Sequence, residues 1–292
     1  MRGAMVLVNG MAGKLHDPMI SVLDTGFLHG DTIFTTMAVY AGRIVFWKEH
    51  IERLKITARV FGYPSFPEPG LLEEECRKVL SIQPEMPSVL RLTLSRGWTE
   101  SAGIDGTPGE MTRVFLPVFR EPRPESQYED GVSVECFPIP WDPATDHRFW
   151  YKTGNLLWVK MVRSEKKDPD STEILLINAK KEILEGTVSS VFAIDASGRP
   201  RTSPLTSGIL SGIMRAKILE WAREYGPDVS ERPLLLEELN ACREVFLASS
   251  TLPVLPVRTI LSPSGPVHLT GPFGTVRAFL SHYRRMLSSG IW

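Results

Sequence analysis

Short runs of alternating apolar and polar residues dominate the first part of the chain. Met5-Val-Leu-Val followed by Asn9-Gly10 has the β-branched run and turn dipeptide of a hairpin, and residues 33–40 with 44–47 repeat that pattern around Ala41-Gly42-Arg43. The period then lengthens. Over residues 48–61 the apolar Ile51, Leu54, Ile56 and Ala58 sit among charges, which predicts an amphipathic helix stopped by Gly62 and Pro64. A second helix is expected over 70–81, and strands over 89–94 and 113–119. The Pro-rich, charged stretch 120–126 breaks all periodicity and marks a boundary.

Beyond it the pattern alternates. Strands are expected over 132–137, 173–178 and 191–195, helices over 155–167 and 211–225, then strands over 245–248 and 254–260 and a closing helix over 273–287. The expected organisation is an N-terminal α+β domain (residues 1–120), a linker (121–130) and a C-terminal α/β or mixed-sheet domain (131–292). No internal repeat interrupts it.

A chain of 292 residues with 42% hydrophobic and 23% charged residues and a net charge of −1 can bury a core without staples. It calls for neither a nucleic-acid nor a membrane partner. No apolar run approaches the ~20 residues needed to cross a bilayer, and residues 1–10 lack a signal-peptide pattern, so a cytoplasmic location is expected. Cys76, Cys136 and Cys242 are far apart and without a C-x-x-C pair, and the six histidines show no metal-ligand spacing; no metal is expected. The G-x-G-x-x-G, P-loop, H-E-x-x-H and G-x-S-x-G signatures are missing, which removes the entry points for nucleotide, zinc-protease and α/β-hydrolase readings.

A wider succession is present: Asp24-Thr-Gly26-Phe27, Gly30-Asp31 and Phe34; His50-x-x-Arg53-Leu54; Lys152-Thr-Gly-Asn155; Glu185-Gly186 through Phe192; and Gly208 through Gly212-Ile-Met-Arg215. In this order, across residues 9–257, it resembles the class IV aminotransferases, the fold-type IV pyridoxal-phosphate enzymes. That family includes branched-chain and D-amino-acid aminotransferases, some (R)-selective amine transaminases and aminodeoxychorismate lyase. The resemblance implies a small N-terminal α+β domain and a larger C-terminal mixed-sheet domain, pyridoxal 5'-phosphate in the cleft between them, and a homodimer whose partner loops close the site.

The resemblance also implies roles. Lys152 is the lysine whose amine condenses with the cofactor aldehyde as a Schiff base and then serves as general base and acid. Glu185 faces the pyridine nitrogen, where a carboxylate favours the protonated ring. Arg53 holds the phosphate with a planar, permanently charged fork. The backbone N–H groups of Ile213 and Met214 receive the phosphate at a helix start, and Ser250 belongs to the other phosphate-side loop.

The substrate side departs from the common pattern. Thr35 stands where most aminotransferases of the class have glutamate, and Ala38 where they have a basic residue. Phe34-Thr35-Thr36 is similar to the Phe-Thr-Thr of aminodeoxychorismate lyases. Ser95-Arg96-Gly97 resembles the lyase and D-amino-acid branches, yet Ser101 replaces the arginine that traps substrate carboxylate there. Arg96, Arg148 or His29 could supply a substitute charge. The expected activity is transfer of an amino group from an amino acid or amine to a keto acid. The alternatives are lysis of aminodeoxychorismate to pyruvate and 4-aminobenzoate, and a family member that no longer catalyses.

Overall fold

A computed structural model describes residues 3–17, 19–100, 102–106, 109–146, 150–225, 229–290 and 292, without the Tyr225 side chain. The chain divides into two units, Met1–Glu121 with Lys152–Leu156, and Pro122–Tyr151 with Leu157–Trp292. The α/β and α+β character expected from the pattern is present in two separate sheets.

In the first unit, β1 (Met5–Val8) and β2 (Met11–Lys14) form the hairpin around Asn9 and Gly10, both with positive φ. A short helix α1 (Thr25–His29) precedes β3 (Thr32–Tyr40), which turns through Ala41 and Gly42 into β4 (Arg43–Ile44). The expected strand over 44–47 ends early. Phe46 takes a left-handed conformation and Trp47 opens helix α2 (Trp47–Val60). Helix α3 (Pro69–Ser81) starts on Pro69, whose fixed φ suits a first turn, and is followed by β5 (Val89–Ser95) and β6 (Thr112–Val118). The sheet order is β2-β1-β6-β5-β3-β4.

One face of that sheet carries Leu7, Ile33, Met37, Leu90, Leu92, Leu94 and Phe115 against Ile51, Leu54 and Ala58 of α2 and Leu72, Cys76, Val79 and Leu80 of α3. The alternation of β3 is the cause, because residues 33, 35 and 37 point together. Each large side chain so buried contributes about 1.5–3 kcal/mol. Thr35 is the polar member of this inward row and is fully buried.

The second unit is built on a mixed sheet. Helix α4 (Glu125–Asp130) leads to β7 (Val132–Pro138), and helix α5 (Leu157–Ser164) to β8 (Glu173–Ile177), β9 (Glu182–Gly186), β10 (Ser190–Ile194) and β11 (Pro200–Thr202). Helix α6 (Ile213–Tyr225), β12 (Ser230–Glu231), β13 (Leu234–Leu235), β14 (Glu244–Ser249), β15 (Leu252–Ser262), β16 (Gly265–His268) and helix α7 (Gly274–Ser289) complete it. The order is β12-β11-β10-β14-β15-β7-β8-β9-β13, with β16 on β15. β8 and β10 are buried along their whole length, so their apolar residues run on without alternating.

Helix α5 is shorter than the expected 155–167. Residues 152–154 are taken up by pairing with β3, and the N–H groups of Lys167 and Asp168 donate to the buried Glu135 carboxylate, which fixes a turn there. No described helix is long and apolar enough to cross a membrane.

Candidate active site

In the first unit, residues 152–154 run antiparallel along the edge of β3. Phe34 N–H donates to the Lys152 carbonyl at 3.1 Å, Thr153 bridges Ile33, and Gly154 N–H donates to the Thr32 carbonyl at 2.7 Å. The glycines of these motifs are spacing devices. A Cβ on Gly154 would collide with the Thr32 hydroxyl, and one on Gly30, which has φ 68°, with the Asn155 side-chain oxygen. The half-buried Lys152 side chain places Nζ 4.9 Å from the centroid of the Phe34 ring, over which the Arg91 guanidinium also lies at 3.6 Å.

Helix α2 presents His50 and Arg53, one turn apart, to Thr35. The Thr35 hydroxyl lies 2.5 Å from His50 Nδ1 and accepts from Arg53 Nη2 at 3.1 Å. Arg53 keeps some accessible surface, yet dense packing lowers its pKa to about 10. His50 is held well below its ordinary value, first by burial and then by the charges of Arg53 and Lys152. Lys152, His50 and Arg53 thus form one electrostatic cluster.

Other motif residues of the first unit make contacts within it. Asp24 accepts from Gly26 N–H (2.8 Å), the Ser95 hydroxyl (2.8 Å) and the Thr112 hydroxyl (2.6 Å), fastening the start of α1 to β5 and β6. Arg96 grips Asp31 at 2.7 Å, donates to the carbonyls of Phe61 and Gly62, and stacks over Tyr63. The candidate substrate residue Arg96 therefore ties a loop to β5. His29 is exposed at the end of α1. Arg148 and Ser101 lie outside the described residues.

In the second unit, β9 carries Glu185, whose Oε1 accepts the Leu210 N–H at 3.1 Å. That contact joins the carboxylate to the loop ahead of α6. The loop is shaped by Gly208, with φ 79°, where a Cβ would strike the Pro143 carbonyl. Ile213 and Met214 open α6 with buried side chains, so their amides stand among the first N–H groups of the helix, which have no intrahelical acceptor. Ser250 lies in the two-residue connection between β14 and β15.

Sequence reasoning passed over Glu173. This buried carboxylate on β8 accepts from Arg163 Nη1 (2.9 Å), the hydroxyls of Thr187 (2.5 Å) and Ser189 (2.9 Å), and Val188 N–H (3.3 Å). It thereby holds the turn that follows Glu185. Among the described residues no group of three or more His, Cys, Asp or Glu side chains could hold a metal ion.

Residues 32–260 match the family described as Amino-transferase class IV, and the chain belongs to that family. It is 29% identical to a D-alanine aminotransferase of Bacillus licheniformis over 87% of this chain and 88% of that one. It is 26% identical to a branched-chain-amino-acid aminotransferase of Salmonella typhimurium, over 86% and 83% respectively. Its fold is similar to that of 4-amino-4-deoxychorismate lyase from Pseudomonas aeruginosa, with a TM-score of 0.78, 24% identity and coverage of 96% and 98%. The family is one of pyridoxal-phosphate-dependent enzymes that includes aminotransferases and lyases.

Proposed function

We propose that this protein is a pyridoxal 5'-phosphate-dependent aminotransferase, acting as a homodimer, that moves an amino group from an amino acid or amine to a keto acid. The observation that carries the reading is the Lys152–His50–Arg53 cluster, where a primary amine and a desolvated guanidinium act on the same buried imidazole. The donor set fits the cofactor. Arg53 carries a charge that burial disfavours and that a phosphate would compensate, and the Ile213 and Met214 amides and Ser250 suit phosphate oxygens.

When bound, the cofactor supplies an aldehyde for covalent attachment and an electron-withdrawing ring that stabilises negative charge beside the amino group. Lys152 Nζ is the amine that attaches. The same Nζ, when not attached, would serve as the general base and acid that takes up and gives back the substrate proton. Glu185, with one oxygen steadied by the Leu210 N–H, would hold a proton on the ring nitrogen of the group by opposite-charge stabilisation. Phe34, buried beside Lys152, offers its ring face to the amine.

A lyase outcome is the second reading, favoured by Thr36, which shares the β3 face of Phe34 opposite Arg91 and completes the Phe-Thr-Thr pattern. One experiment separates the readings. The purified protein is reduced with borohydride and digested, then a second sample is treated with D- and L-amino acids and simple amines while pyridoxamine phosphate is measured. An adduct on Lys152 and conversion by at least one donor are expected. A colourless protein without that adduct refutes the cofactor assignment. No conversion with any donor, together with pyruvate release from aminodeoxychorismate, makes the protein a lyase.

A further inference from the structure

Glu173 is a buried carboxylate that this chemistry leaves unused. On β8 it accepts from five donors: Arg163 Nη1, the hydroxyls of Thr187 and Ser189, and the N–H groups of Val188 and of its own neighbour Ile174. Thr187 is held twice, because its hydroxyl also accepts from Arg163 Nη1 at 2.8 Å. Three of these donors belong to the consecutive residues 187–189, so the carboxylate fills the inside of the bend that begins two residues after Glu185. An ionised carboxylate is acceptor-only, and no neutral side chain of its size could serve all of these donors at once.

The bend has no slack. Gly186 N–H donates to the Ser189 carbonyl at 2.6 Å and Thr187 N–H to the Ile174 carbonyl at 3.0 Å, while a Cβ on Gly186 would collide with the Ser189 hydroxyl and the Glu173 side chain. Glu185 precedes Gly186 and keeps accessible surface, with Oε1 taken by Leu210 N–H. The loop that supplies this N–H returns to the same bend, since a Cβ on Gly212 would meet the Ser190 hydroxyl at 2.9 Å. Glu185 therefore stands between two supports, the bend tied to Glu173 and a loop that rests on the residue after that bend. A carboxylate that pairs with a ring nitrogen works only over a narrow range of positions, about 0.5 Å, so what fixes its backbone matters to its chemistry.

We propose that Glu173 is a positioning residue for Glu185: its hydrogen bonds to residues 187–189 fix the end of β9 and so set the Glu185 carboxylate where it meets the ring nitrogen of the cofactor. The proposal rests on the cofactor reading above. Glu173 itself touches no cofactor and acts through the bend. Arg163, in the last turn of α5, shares the task as the cation that holds Glu173 and Thr187 together.

The test uses the full-length protein freed of cofactor, as wild type, Glu173→Gln, Glu185→Gln and the double variant. Each is titrated with pyridoxal 5'-phosphate and with the analogue that has C–H in place of the ring nitrogen. Glutamine keeps the size of Glu173 but turns one acceptor into a donor that faces donors. Glu173→Gln is expected to lose about 10-fold in affinity for pyridoxal 5'-phosphate and nothing for the analogue, which has no nitrogen for Glu185 to meet. Glu185→Gln should show the same selectivity, and the double variant should bind no worse than Glu185→Gln alone, as residues acting through one network do. A Glu173 that merely supports the structure would weaken both probes equally and add to Glu185→Gln. Either result overturns the proposal, as does wild-type affinity of Glu173→Gln for both probes. If wild type itself binds neither probe, the cofactor reading fails and the proposal with it. Should Glu173→Gln not fold, Thr187→Val, which removes one hydroxyl of the bend, decides: a selective loss of about 3-fold supports the proposal, and an equal loss or none refutes it.

Discussion

Removing the Arg53 charge should strengthen the cofactor-free protein while weakening its hold on cofactor. Lowering the guanidinium from its ordinary value to about 10 corresponds to about 3 kcal/mol of disfavoured charge in the folded state. The sign is that of a cation whose folded pKa is depressed: the penalty is present at every pH well below 10, and so is constant across the neutral range. Arg53→Met keeps much of the stem and abolishes the charge, at the loss of at least the hydrogen bond to Thr35, about 1 kcal/mol. The cofactor-free variant should gain about 1–2 kcal/mol of unfolding free energy, equally at pH 6 and pH 8. Its stabilisation by added pyridoxal 5'-phosphate, which follows RT ln(1 + [L]/Kd), should shrink as affinity falls by about 100-fold. Urea unfolding with and without cofactor reads both quantities. A variant less stable than wild type without cofactor would mean that the protein itself compensates the charge. An unchanged cofactor effect would remove Arg53 from the phosphate site.

Two other outcomes follow from the geometry. His50 is neutral when folded and titrates near about 6.5 when unfolded, so its share of stability is present above that pH and is lost as pH falls from there towards the lowered folded value. Unfolding free energies measured from pH 7 to pH 5 should fall more steeply for wild type than for His50→Gln, by up to about 1.4 kcal/mol per pH unit, and parallel slopes would contradict the buried neutral state. Gly208→Ala forces a side chain into a left-handed residue facing the Pro143 carbonyl, and should cost about 2 kcal/mol or more in chemical denaturation. A neutral effect would show that the loop ahead of α6 does not need its glycine.

The parts of the fold legible in the sequence are those with local causes. The Asn9-Gly10 turn, the apolar stripe of α2 and the proline at the start of α3 each act within a few residues. β9 escaped because its two apolar residues, Ile183 and Leu184, lie between Glu182 and Glu185, and its turn from β8 passes through Lys181 at positive φ, with no glycine to mark it. Yet β9 carries Glu185. Helix α1 is too short for a period and is defined by Asp24 reaching Ser95 and Thr112, far along the chain. The nominations of Lys152, Arg53 and Glu185 came from a family pattern, since nothing in their own spacing marks them as chemical. The His50 and Arg53 pair was readable as one helix face. Its link to Thr35 required knowing that α2 packs on the inner side of β3. Glu173 was hidden for a similar reason, because its partners at 187–189 meet it only once β8 and β9 are paired.

The segment Lys152–Leu156, which belongs with the first unit although thirty preceding residues, Pro122–Tyr151, belong with the second, sets a timetable for biosynthesis. By Val118 the ribosome has delivered every strand of the first sheet, but the edge of β3 stays open until residues 152–154 emerge and pair with it. The lysine amine therefore reaches its place beside Phe34 only after the sheet that receives it has been made. A fragment ending at Glu121 would carry His50, Arg53 and Thr35 without the amine they accompany.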